Sequence, residues 1–184
     1  GQPPADTVQT YWDTTAGYTD HGIDDRLIDK AWAELRTEII RLNRTAADNL
    51  REVATTADLL SVANETEQMV AVLQYGSDEL WHTMMAAVSG TPTMHVDQMV
   101  NSEGALNASL DRFQQVLPTV RAAELQRLRS GVEFTALAAT RPTFVDRVTA
   151  AATAADGSTV VTDPDDVQLV VRTVGISMQR LDAI

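Results

Sequence analysis

Apolar residues recur at three- and four-residue steps through most of this chain, the signature of helices that each bury one face. The first run carries Leu27, Ile28, Ala31, Trp32, Leu35, Ile39, Leu42, Ala46, Leu50 and Val53. It predicts a helix of about 30 residues. Asp24 and Asp25 fall in its first turn and complement the helix dipole. A second stretch runs from Ala57 to Tyr75 and is expected to stop at Gly76 as a C-cap. Ser77 then caps a separate helix through Asp78, Trp81, Met84, Met85 and Val88, ended by Gly90.

Thr91-Pro92 is the next start signal, with proline at the first helical position. Val96, Met99, Val100, Leu106, Leu110, Phe113 and Leu117 form that helix's stripe. Pro118 kinks or restarts the chain, and Val120, Leu125, Leu128, Val132 and Leu137 continue to a second break at Arg141-Pro142. Phe144, Val145 and Val148 lead into an alanine run closed by Gly157, and Ser158–Thr162 is the one strand-like stretch. Asp163-Pro164-Asp165-Asp166 reads as N-cap, proline and two first-turn acids. The last helix rests on Val167, Val170, Val171, Val174, Met178 and Leu181.

The expected fold is therefore all-α: an antiparallel bundle of four to six helices, some kinked at Pro118 and Pro142. Residues 1–22 have no helical period but hold Tyr11, Trp12 and Tyr18, and they read as an extended arm before a bundle domain at 23–184. Leu50–Thr56 also echoes Phe134–Thr140, as two halves built on one plan would.

Composition narrows the function classes. There is no cysteine, which removes disulfide scaffolds, thiolate metal sites and cysteine nucleophiles. The formal charge is −12, from 14 basic and 26 acidic residues, so the field of the chain repels phosphate and argues against a nucleic-acid partner. Part of that excess sits in predicted first turns: Asp24, Asp25, Asp78, Asp165 and Asp166. Aspartate outnumbers glutamate and Lys30 is the only lysine, a composition that favours solubility in high salt. No run is apolar enough to span a membrane, and the chain opens on Gly1 with no signal peptide.

Catalysis finds no motif. Nucleophile elbows, phosphate-binding glycine loops and dinucleotide fingerprints are missing from the sequence, so no enzyme activity and no cofactor are expected. The softest chemistry lies between Trp81 and Met99, where four of six methionines and two of three histidines gather. His82, Met85, His95 and Met99 are candidate ligands for copper, and the same set leaves a copper or haem carrier as a minor reading. Trp81, Met84, Met85 and Val88 also fall at the steps a core stripe demands, and packing explains them first. Glu79 and His82 form a Glu-x-x-His pair, but no second copy exists to build a di-iron centre.

Asn43, Asn64 and Asn107 stand in Asn-x-Ser/Thr sequons, pointing to the outside of the cell. These features together suggest a non-catalytic, extracytoplasmic sensing module of a membrane receptor, chemoreceptor or sensor kinase, its membrane spans lying outside this chain. Such a module self-associates as a homodimer or larger, and takes a small ligand between helices. Arg127, Arg141 and Arg172 are candidate contacts for an anionic ligand. The alternative is a structural subunit of a virion, connector or surface assembly.

Overall fold

The computed structural model describes residues 25–88, 92–152 and 164–184. The arm at 1–22, the strand-like Ser158–Thr162, and Asp24, Gly90, Thr91, Gly157 and Asp163 lie outside them. The described residues form an all-α helical bundle of six helices: α1 (Asp25–Val53), α2 (Ala57–Val88), α3 (Pro92–Val116), α4 (Thr119–Arg129), α5 (Val132–Ala152) and α6 (Pro164–Ala183). Among them no helix is long and apolar enough to cross a membrane. The chain divides into two compact units, Gly1–Val70 and Ala71–Ile184.

In the first unit, residues 54–56 separate α1 from α2. Thr56 caps α2, its hydroxyl accepting from the Leu59 amide at 3.3 Å. Arg51, in the last turn of α1, reaches Glu67 at 2.5 Å and Asn64 at 3.2 Å on α2. The buried apolar residues are mostly small: Ala31, Ala47 and Ala63, with Ile28 and Val70. Leu27, Ile39 and Val53 from the predicted stripe are exposed.

In the second unit, α5 packs on α3, α4 and α6, and α3 also meets α4. Phe144, Met99, Leu106, Leu110 and Leu137 are its largest fully buried apolar side chains. One core cluster joins Ala86, Val96, Met99, Phe144 and Val148, with Val145, Leu169 and Val170 packed against it.

α2 does not stop at Gly76. The glycine is buried inside the helix, and a Cβ there would stand 2.7 Å from Leu181 Cδ1 and 3.8 Å from Leu106. It is small to admit α6 and α3, not to terminate a helix. Ser77 and Asp78 consequently lie within α2 rather than at a start, and Asp78 is buried. α5 runs through Pro142 without a break. The proline ring and Ala138, whose carbonyl loses its amide partner, are both exposed, so water can satisfy that carbonyl. The break falls earlier, at Ser130-Gly131, where the Gly131 amide closes a 2.8 Å bond on Leu128 O. The echo of Leu50–Thr56 in Phe134–Thr140 has no structural counterpart, since the first crosses the α1–α2 turn and the second is wholly helical. Finally, α6 buries only part of its apolar stripe: Val170, Val174 and Leu181 are half-buried. Val167, Val171 and Met178 are exposed, and the buried positions are Thr173, Ser177 and Arg180.

Candidate functional site

The inward face of α6 is polar because it meets charge. Within the second unit, Glu79 of α2, Glu103 of α3, Arg141 of α5 and Arg180 of α6 converge. The Glu79, Arg180 and Arg141 side chains are 1%, 4% and 8% exposed, and Glu103 is 23% exposed. Two cations face two anions, so the cluster is neutral. Isolated burial of any one charge would be far too costly to persist.

Glu79 is the hub. Its Oε1 accepts from Arg141 Nη2 in the tightest contact of the cluster, from Ser177 Oγ at 3.2 Å and from Thr83 Oγ1 at 3.1 Å. Its Oε2 accepts from Arg180 Nη2 at 2.7 Å. Arg141 Nη1 donates to Thr83 Oγ1 at 2.9 Å and lies against Met99 Sδ. The contacts to Glu103 are looser. Arg180 Nη1 stands 3.4 Å from its Oε1, and Arg141 Nε stands 3.4 Å from its Oε2 without the alignment of a hydrogen bond. The Arg180 guanidinium also sits 5.7 Å from the centre of the Phe134 ring, a cation–π distance. Burial, and next the charge of Arg180, press the Arg141 guanidinium down to about 9, which leaves it a cation at neutral pH. Burial lowers Arg180 in the same way, against the pull of Glu103.

Arg127 is exposed on α4 beside Glu124, 4.0 Å away, and Arg172 is exposed on α6. Arg141 joins Arg180 instead, a residue that no sequence motif marks. His82 and His95 do meet: their Nδ1 atoms are 3.0 Å apart and the rings are tilted by 31°. One imidazole donates to the other at that distance. Met85 is buried, and Met99 Sδ lies against the Arg141 cation. Among the described residues no group of three or more histidines and acids stands close enough to hold a metal ion. Asn43 donates to Ile39 O at 2.8 Å, Asn64 accepts from Arg51, and Asn107 is exposed; all three sit within helices.

The class defined by this geometry is a helical bundle with a charged core. Comparison with protein-family models, with curated proteins and with solved structures finds no match to the chain.

Proposed function

We propose that the chain is a non-catalytic, extracytoplasmic signal-input module of a membrane receptor, of the chemoreceptor or sensor-kinase type. One observation carries the reading: each buried arginine reaches both glutamates of the cluster, closely at Glu79 and loosely at Glu103. The four residues come from four helices. A small shift of α3 or α6 trades one pairing for another while the buried charge stays balanced. Packing with two such arrangements is what turns a sub-ångström event at a site into helix displacement.

The test is a chimera in which this chain replaces the input domain of a chemoreceptor with a measurable kinase output. The reading expects an output that Glu103→Gln resets to a different level. A chimera locked at one output, with or without that substitution, would overturn it. Protease added to intact source cells addresses the location: cleavage supports an extracytoplasmic domain, and protection until lysis opposes it.

A second reading, the structural subunit, is favoured by the outer face of α6. Val167, Val171, Val174 and Met178 follow a four-three spacing, with Val167, Val171 and Met178 exposed and Val171 the most so at 66%. That is the pattern of a helix–helix seam. Light scattering at micromolar concentration tests the second reading, since the subunit forms large assemblies and a clean monomer or weak dimer would count against it.

A further inference from the structure

We infer that Glu103 stands in for a ligand, and that the chain binds a small aliphatic carboxylate on the Arg141 and Arg180 guanidiniums in its place. The inference rests on the site of the signal-input reading and gives that reading a ligand class.

The two glutamates of the cluster are not equivalent. Glu79 is committed: it is sealed from water and accepts from two arginines and two hydroxyls. Glu103 is not. It stands 3.4 Å from both guanidiniums and is the most exposed side chain of the four. Arg141 is more than nine-tenths buried, yet its Nε–H has no hydrogen-bond acceptor. A buried donor left in that state is a demand for an acceptor, and the demand is directed at the position Glu103 occupies.

The ligand's chemistry follows from what leaves. With Glu103 turned outward, two guanidiniums face the single carboxylate of Glu79, and charge balance requires one anion. The volume released is that of a CH2-CH2-COO⁻ group. Arginine's planar fork matches a carboxylate in two parallel N–H···O bonds. Propionate has that size, charge and shape. The tethered Glu103 competes at an effective concentration on the order of millimolar or higher, so free carboxylate binds the unaltered chain weakly.

The experiment titrates the full chain with sodium propionate against sodium chloride and sodium sulfate at matched ionic strength. Thermal unfolding and the arginine Nε–Hε resonances are followed, with Arg141 assigned through Arg141→Lys. The expected result is a saturable, propionate-specific shift of the Arg141 resonance in the unaltered chain. Glu103→Ala should unfold at a lower temperature, regain it in propionate, and bind propionate at least about ten-fold more tightly, because the tethered competitor is gone. If Glu103→Ala does not fold, Glu103→Gln replaces it, with tighter binding expected from the weaker competition of a neutral amide. The inference is overturned by no saturable shift in the unaltered chain. Equal affinity in the Glu103 variants, or an equal response to chloride or sulfate, overturns it too. Propionate binding by a chain whose chimera gives no regulated output would remove the signal-input reading alone. Regulated output without propionate binding would remove the carboxylate site alone.

Discussion

Glu79 holds two guanidiniums on one carboxylate in a part of the second unit that water does not reach. Glu79→Gln keeps the shape and deletes the charge, leaving two buried cations against Glu103 alone. Breaking a buried pair in this way costs about 3–5 kcal/mol, whereas the same change at the partly exposed, loosely held Glu103 costs about 1 kcal/mol. Urea unfolding of the two variants measures both, and equal losses would contradict the hub. The pH dependence of the cluster has a defined sign. Because the Arg141 value is lowered to about 9, the folded chain holds fewer protons than the unfolded one only above that pH. Stability from this group therefore rises with pH between about 9 and the ordinary guanidinium range, and is constant below. The difference in unfolding free energy between the unaltered chain and Arg141→Gln should be flat from about pH 6 to 8 and grow beyond about 9. A slope near neutrality would show that another group governs the cluster. Part of this site was legible in the sequence. Val72, Gly76, Glu79, Thr83 and Ala86 follow a four-three spacing, so a carboxylate sits where the core stripe runs. Its partners were not legible, because Arg180 lies 101 residues away and nothing local marks it as inward.

At the scale of elements, local chemistry located most helix ends. Pro92 and Pro164 open α3 and α6, Pro118 divides α3 from α4, and α1 keeps its predicted length. It failed where tertiary contacts decide. Gly76 looks like a stop until Leu181 and Leu106 are seen against it, and Pro142 looks like a break until its exposed side is known. Val167, Val171 and Met178 of the α6 stripe lie exposed for a related reason, since periodicity reports an apolar face and not what covers it. The glycines give a graded test of this account. Gly104 and Gly175 lie within helices, and the Cβ that alanine would add meets nothing within 4 Å at either position. Alanine at either should stabilise by about 0.5–1 kcal/mol through helix propensity alone. Gly76→Ala meets the flexible tip of Leu181, and the same gain is offset to within about 0.5 kcal/mol of zero. At Gly131 the added methyl stands 2.8 Å from the backbone oxygen of Leu128, which cannot turn aside. That change should cost about 1 kcal/mol or more. Chemical denaturation of the four variants should return this order, and a stabilised Gly131→Ala would refute the α4–α5 turn as a fixed point of the fold.

Across the whole molecule, the neutral core cluster means that the net charge of −12 is carried by the rest of the chain. Acidic groups at exposed positions repel one another in the compact state, and mobile ions weaken that repulsion once the Debye length falls below their spacing. The urea midpoint should therefore rise between about 0.1 and 2 M KCl, most of it before about 1 M, where the Debye length is near 3 Å. A rise linear in salt would instead mark exclusion of salt from apolar surface. The buried cluster supplies the internal control. The Glu79 carboxylate, 1% exposed, is sealed from the ions that screen the surface, so the penalty of Glu79→Gln should be the same at both ends of the salt series. A midpoint that is flat or falls with salt would remove high-salt adaptation as the reason for the acidic, lysine-poor composition. A penalty that shrinks with salt would mean that water and ions reach Glu79, and that the two pairings of Arg141 and Arg180 are set by solvent rather than by the positions of four helices.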